Sequence, residues 1–525
     1  MYIVENKKRT ENKEYTSTLL VEGYKEGKKV KHRTISNLSS WPKELVEDFR
    51  LLLKGGKVTT LEELRHTQGK SCGGLIVIYE ICKRLGILKA LSKSKKAMLA
   101  ILLIIGRILT QGSRLHLVEW SKDQAIEEVL NIKYFDEDDL YETLDWLCYN
   151  QEKIEDKLFR SRNKKGIEEV FLYDVASTYF EGMENELAEY GHNRDGKKGK
   201  KQIVIGLMTC KEGYPVSIEV FKGNTQDPKT VLNQLKKLRL RFGVKRVIFV
   251  GDRGMIKKQQ IEDINELKWN FITAITKPQI KKLVNIGAIQ MSLFEEELAE
   301  IEYQGCRYII RRNPKRAKEI QENRKSRIEY IIKKIIKKND YLAKHTKASE
   351  EVALKDINKE IERRKLVRIV RLKIDGRSLN YKIDTDSIAD ISMLDGCYAI
   401  KTDVPKEALD KEIIHDRYKD LTQVENAFRT IKTALEEIRP VYVRKESRTR
   451  GHVFICMLAY MIVKYVWDNL KELGFTQSFI FETLDKIQYS SYKFQDKIIK
   501  VLPKDLLEHQ DLILNKLRIK LPHNL

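Results

Sequence analysis

The sequence predicts a mixed α/β protein, a sheet with helices on its faces, interrupted by an insertion and preceded by a mainly helical region. Three observations lead there. Between 166 and 275, short β-branched runs bounded by Gly, Asp or Pro alternate with segments of helical spacing. Between 42 and 160, apolar residues recur at intervals of three and four. The 525 residues, 42% apolar and 8% aromatic, suffice for three or four cored domains and exclude wholesale disorder.

The elements follow in order. Tyr15–Glu22 and Lys29–Ser36, joined through Gly23 and Gly27, read as a small hairpin. Leu75–Leu85, Ala97–Leu109, Ala125–Leu130 and Leu140–Ile154 read as helices, with Pro42 and Gly86 as punctuation. Their positive residues, such as Lys83, Arg84, Lys95, Lys96, Arg107 and Arg114, suit either a DNA-facing or a solvated surface. Val170–Val175, Gln202–Thr209, Pro215–Lys222, Arg246–Gly251 and Phe271–Ile275 read as strands, with helices at Pro228–Phe242 and Lys257–Leu267. The order β, β, β, α, β, α, β fits a mixed sheet covered by helices.

Residues 276–396 break that pattern. Glu300–Arg311, Leu366–Ile374 and Leu379–Ile383 read as strands around two helices at about 315–345 and 349–365, whose isoleucine seams suit an antiparallel hairpin. Arg311–His345 carries 13 Lys/Arg against 4 Asp/Glu, a net of +9 that serves either solvation or phosphate contact. The sheet resumes at Cys397–Val404, followed by helices at Lys406–Leu435 and Val453–Leu473 and a helical last 50 residues. The expected domains are thus 1–165, 166–275, 276–396, 397–470 and 471–525, the second and fourth forming one core.

Composition narrows the function. Lys and Arg number 99 and Asp and Glu 76, so the net charge of +23 favours a polyanionic partner, most often nucleic acid. The apolar runs Ala97–Gly106 and Val453–Val463 are about half the ~20 residues of a membrane span. MYIVENKKRTENK lacks the apolar stretch of a secretory signal, so a cytoplasmic protein is expected. Seven scattered cysteines without a CxxC pair read as reduced thiols. No HxH or HxxxH pair suggests zinc, His452 reads as a structural histidine, and without a P-loop no ATP is expected.

Three carboxylates stand out. Asp174 ends VFLYD, and Asp252 ends RVIFVGD just before Arg253. A carboxylate at the tip of an apolar strand is aimed outside the sheet edge, where sites in such folds lie. Glu425 lies within YKDLTQVENAFRTIK, where Tyr418, Glu425 and Lys432 are spaced by seven and share one helical face with Arg429. Val424, Phe428, Ile431 and Leu435 mark a separate, core-facing stripe. An exposed Glu–Arg pair explains the charges but not the Tyr. Arg194, Lys197, Lys198, Lys200 and Lys201 make a basic turn suited to phosphate contact or to solubility alone. In GNTQDPKT, Asn224 and Thr225 are candidates to line a cleft, and Asp227 and Pro228 read as a helix start.

FLYDVASTYF, VGDRGM and YKDLTQVENAFRTIK resemble the motifs of bacterial insertion-sequence DDE transposases, whose catalytic core is ribonuclease H-like. In the subgroup this chain resembles, the final Glu lies in a Tyr-Arg-Glu-Lys signature, spaced Y-x2-R-x3-E-x6-K. Tyr418, Glu425 and Lys432 match it; the Arg slot holds Leu421, with Arg429 or Arg417 as candidate substitutes. The subgroup also carries a β-rich insertion between the second Asp and the Glu, where residues 276–396 sit.

The resemblance implies a metal-dependent chemistry. Mg²⁺, with Mn²⁺ as a substitute, would be held by Asp174, Asp252 and Glu425, with Asp174 bridging two ions roughly 4 Å apart. Lys432 would hold a phosphate, Tyr418 would contact the DNA backbone or a base, and Arg253, Arg429, Lys197 and Lys198 would add backbone contacts. The implied partners are terminal inverted repeats, recognised mostly by 1–165, target DNA, and a second copy in a homodimeric synaptic complex at the bacterial nucleoid. A metal-dependent nuclease without strand transfer and a catalytically inactive DNA-binding protein are the alternatives.

Overall fold

In the computed structural model, residues 1–10, 13–56, 65–67, 69–162, 170–180, 182–192, 199–432, 441, 443–494 and 497–523 are described. The basic candidates Arg194, Lys197 and Lys198, and Leu435 of the apolar stripe, lie outside them. The chain divides into two units. One comprises Met1–Cys72, Ile487–Leu506 and Leu521–Leu525; the other comprises Gly73–Lys486 and Leu507–Lys520.

In the first unit, Tyr2–Thr10, Lys13–Glu26 and Lys29–Asn37 form a three-stranded antiparallel sheet, one strand more than the expected hairpin. Gly27, at φ +64, supplies the left-handed residue that the two-residue turn before Lys29 requires. The helix Lys43–Leu53 places Val46 against Leu20 and Leu38 in a small core. A second small sheet pairs Arg65–Thr67 with the hairpin Ser490–Phe494/Lys497–Val501. This corrects the helical reading of the last 50 residues. Gln477–Asp485 before the hairpin and Glu508–Leu517 after it, both in the other unit, are helices as expected. The pairing that fixes residue 491 to residue 67 is too distant in sequence to leave a local signal.

The second unit is built on a mixed sheet. Among the described residues it has eight strands: β1 (Val170–Tyr179), β2 (Gln202–Cys210), β3 (Pro215–Lys222), β4 (Ile248–Gly251), β5 (Asn270–Ala274), β6 (Ala299–Tyr303), β7 (Cys306–Arg312) and β8 (Cys397–Thr402). Their spatial order is β6-β7-β8-β5-β4-β1-β2-β3. β1, β2 and β3 are antiparallel neighbours, while β4 and β5 run parallel to β1. The order 3-2-1-4-5 of the first five strands is the ribonuclease H-like arrangement. The stretch expected as one strand over Glu300–Arg311 is instead the hairpin β6–β7, turning at Gln304-Gly305, and it extends the central sheet through β8.

The helices that matter below are α1 (Lys95–Leu109), α2 (Glu137–Arg162), α3 (Asp227–Lys236), α4 (Lys277–Asn285), α5 (Pro314–Lys344), α6 (Glu350–Arg363), α7 (Lys411–Lys419), α8 (Leu421–Lys432) and α9 (Glu446–Leu470). α9 packs against both α1 and α2, so the C-terminal part of the chain shares a core with the N-terminal helices. With its last turn, Glu446–Leu473 is long and apolar enough to cross a membrane, but 72% of its most apolar window is buried inside the protein. Arg107 and Arg114, expected on a DNA-facing or solvated surface, are instead buried. Arg114 Nη2 lies 2.7 Å from Nδ1 of the fully buried His452, a structural pairing. Burial, and then the nearby Arg107 charge, push the Arg114 guanidinium down to about 10. Lys95 and Lys96 pair with Asp139 and Glu142 of α2. None of the seven cysteines forms a disulfide.

α5 and α6 form the expected hairpin, closed by Ile331, Ile335, Ile357 and Ile361 and by the small sheet Val370–Asp375/Ser378–Ile383. On the main sheet, Phe171, Tyr173 and Val175 of β1 pack with Phe249, Phe271 and Val231 on the face that α3 covers. Tyr173 lies fully buried across Gly206 of β2; a Cβ there would stand 2.2 Å from its hydroxyl.

The contact of α9 with α2 is equally close: a Cβ at Gly451 would stand 2.2 Å from the Leu144 carbonyl oxygen. Backbone cannot yield as a flexible side chain can, so Gly451→Ala is expected to destabilise by about 1–3 kcal/mol. Thermal denaturation checks this, and an unchanged melting temperature would contradict the close packing.

Candidate active site

The site starts from strand register. β1 and β4 are parallel neighbours paired from Val170↔Ile248 to Tyr173↔Gly251. The next residue on each strand is Asp174 and Asp252. Neighbouring strands lie about 4.8 Å apart, so the two carboxylates, 78 residues apart in the chain, leave the sheet side by side. β1 continues to Tyr179, so Asp174 lies mid-strand rather than at a strand tip, while Asp252 does follow the end of β4. Alternation puts Asp174 on the face opposite Tyr173, away from the core under α3.

Glu425 arrives from a helix that packs on β1 and β2. Leu421, Val424, Ala427, Phe428 and Ile431 are the buried stripe of α8, and Glu425 and Arg429 are exposed on its other side. The expected single helix over Lys406–Leu435 is two helices: α7 ends at Lys419, Asp420 forms the turn, and α8 begins at Leu421. Tyr418 therefore stands on α7, although the spacing suggested one helix. From there its hydroxyl reaches Asp252 Oδ1 at 3.5 Å. Burial, then the charge of Asp252 and a smaller contribution from Glu425, raise the Tyr418 phenol well above its usual range, against the opposing pull of Arg253. A neutral Tyr418 thus stands within electrostatic reach of two of the three carboxylates. At the far end of α8, Lys432 Nζ donates to the Ser177 carbonyl at 2.5 Å, three residues beyond Asp174 on β1.

Two clefts take part of their lining from the residues just after Asp252, Gly254 in one and Arg253 in the other. One, of about 480 Å³, is lined by Ala176, Ser177, Gln202, Asn224, Asp227 and Lys257 among others. Asn224 and Thr225 do line it, and Asp227 also opens α3, with Pro228 in the first turn. Gln202 Nε2 donates to the Gly223 carbonyl at 2.8 Å, holding that wall in place. The second cleft, about 590 Å³, is lined by Arg253, Lys257, Lys258, Thr276 and Lys401. Asp227 was missed as a site neighbour. A Cβ on Gly254 would stand 3.8 Å from Asp252 Oδ2 and 4.0 Å from Asp227 Oδ2, so the two carboxylates flank one glycine. Its only sequence signal was the helix-start pattern, which explained it without a site.

The donor chemistry of Asp174, Asp252 and Glu425, carboxylate oxygens throughout, suits a hard cation. Asp174 and Asp252 are neighbours by register, and Tyr418 links Asp252 to the side where Glu425 stands. Among the described residues, no three His, Cys, Asp or Glu side chains are drawn together closely enough to hold an ion on their own. A hard cation that keeps several waters and adds substrate phosphate oxygens does not require such a closed protein cage.

Residues 173–462 match the family described as Transposase DDE domain, a span of more than half the chain that includes all three carboxylates. Residues 3–62 match the IS1634 family transposase N-terminal domain. The chain belongs to the DDE transposase family and is a DNA transposase. No curated protein sequence matches it. Among solved structures, piggyBac transposase in a synaptic complex with hairpin DNA is similar over 75% of this chain and 71% of that one, at 9% identity and a TM-score of 0.35. The Mos1 transposase paired-end complex with the left transposon end is similar over 34% of this chain and 59% of that one, at 14% identity and a TM-score of 0.15.

The departure at Leu421 has a physical reason: the side chain is 7% exposed and belongs to the buried stripe of α8. Arg417, one candidate substitute, is held by Asp420 at 3.0 Å. Leu421→Arg would drive a cation toward the core, so a loss of about 2–3 kcal/mol in stability is expected in urea denaturation. A variant as stable as the parent would contradict the burial.

Proposed function

We propose that this transposase cuts DNA strands at the terminal inverted repeats of its own element by metal-dependent phosphodiester hydrolysis, then joins the freed 3′-OH to target DNA. The observation that carries the reading is the pairing Tyr173↔Gly251, which brings Asp174 and Asp252 side by side on a sheet whose strand β1 also packs against the helix of Glu425. Asp174, Asp252 and Glu425 would hold Mg²⁺, or Mn²⁺ in its place. When bound, such ions polarise the phosphoryl group and make water a nucleophile at neutral pH.

The chain's own residues bind and orient. Tyr418, kept neutral, donates to Asp252 and fixes the direction of its carboxylate. Lys432, whose Nζ donates to the Ser177 carbonyl on β1, would hold a phosphate near the scissile bond. Arg253 and Arg429, with Lys197 and Lys198, supply further backbone contacts. Residues 1–165 serve end recognition, and two copies act together at the nucleoid so that both element ends are handled in one complex.

Asp174→Asn, Asp252→Asn and Glu425→Gln, each close in size to the residue replaced, are expected to lower Mg²⁺-dependent cutting of an end duplex about 100-fold or more. Binding of that duplex, followed by gel shift, should stay within about threefold. A labelled 3′-OH end should appear joined to target DNA with the unaltered protein. Continued cutting by Asp174→Asn would overturn the reading, and cut ends that never join would reduce it to a nuclease.

A further inference from the structure

The insertion holds a second concave site that the cutting chemistry does not use. α4, α5 and the end of α6 enclose a cleft of about 280 Å³. Its charged lining is Lys277, Arg316, Arg324, Arg327, Arg364 and Lys365 against a single carboxylate, Asp395. That carboxylate is fully buried and already engaged, by Arg324 Nη2 at 2.5 Å and Lys277 Nζ at 3.6 Å. The remaining wall is apolar, from Ile320, Leu366, Ile369 and Ile391. Cations on a low-dielectric concave wall focus a positive field into the space they enclose.

Two details separate this cleft from an ordinary solvated face. The Arg364 guanidinium sits over the Tyr330 ring, 3.7 Å from its centroid, with its Nε 3.8 Å from Glu360 Oε2. The group is therefore positioned by packing before any ligand arrives. Lys365 has φ +58. It ends α6 in the arrangement where the Leu366 N–H donates to the Ile361 carbonyl and the Lys365 N–H to the Glu362 carbonyl, both at 2.9 Å. Glycine is the usual occupant of that left-handed position, since a Cβ there is strained. Lys268 and Arg518 end helices in the same left-handed conformation; what sets Lys365 apart is that its side chain lines the cationic cleft. Lys277 also follows Thr276, which lines the basic cleft beside Asp252, so the two clefts adjoin across the start of α4.

We infer that this cleft anchors a backbone phosphate of DNA that runs from the carboxylate site across the insertion, and that it reads no base. The inference rests on the proposed DNA-cutting function and adds a fixed contact remote from the cut. Arginine forks and lysine ammonium groups suit phosphate oxygens, and such contacts position a duplex without sequence information.

The test is equilibrium binding of the full chain to an end duplex and a scrambled duplex over a range of salt. Lys365→Gly removes the charge while relieving the backbone. The slope of log affinity against log salt should fall by about 1. Affinity at low salt should fall about tenfold, equally on both duplexes. The variant should melt no lower than the parent protein, and Lys365→Arg should keep the slope. An unchanged slope, or a loss confined to the end duplex, would overturn the inference. So would inorganic phosphate stabilising the parent but not Lys365→Gly while the DNA slope stays fixed, which would make the cleft a small-anion site. Cutting assays on the same preparations separate the two proposals. Cutting with an unchanged slope refutes the anchor alone, and a lowered slope without cutting refutes the chemistry alone.

Discussion

Parallel pairing between β1 and β4 is the constraint on which the site depends. One step past its last rung, two carboxylates project from adjacent strands at the spacing of the sheet itself. A slip of one residue in that pairing would turn every side chain of a strand to the other face, sending Asp174 into the core and Tyr173 out of it. Burial guards against the slip. Phe171 and Tyr173 are fully enclosed on the α3 face, and Gly206 leaves room for the Tyr173 ring that no larger residue would leave. The placement of the acidic pair is thus enforced by aromatic packing on the opposite side of the sheet.

The helices of the signature act on this base through their own packing. α8 buries Val424, Ala427, Phe428 and Ile431 and turns Glu425 outward, while Lys432 ties the far end of the helix to β1. The break at Asp420 lets Tyr418 approach Asp252 from α7. Leu421 at the Arg slot fits the same logic, because that position faces the core.

Much of this was legible in the residues. The strands of β1 to β5 announce themselves by β-branched runs with Gly and Asp stops, and the long helices by their isoleucine and leucine spacing. Asp174, Asp252 and Glu425 stand out as candidates because each sits in a recognisable block. What stayed hidden depended on contacts between distant segments. Asp227 approaches Asp252 only after α3 folds onto the sheet, and Arg114 is paired with the buried His452 of α9, more than 300 residues later. The Ser490–Val501 hairpin takes its partner from Arg65–Thr67, and the β6–β7 hairpin joins the main sheet only through β8. A periodic pattern reports which face of an element is buried but not what buries it.

The proposal that Asp174, Asp252 and Glu425 together hold a cation when DNA is bound is tested most directly by metal-directed backbone scission. Fe²⁺ would replace Mg²⁺ in the DNA-bound protein, and peroxide would generate short-lived oxidants at the ion. The account predicts chain breaks clustered near residues 174, 252 and 425, suppressed by excess Mg²⁺. Breaks near the two aspartates with none near 425, or breaks that excess Mg²⁺ leaves untouched, would contradict it.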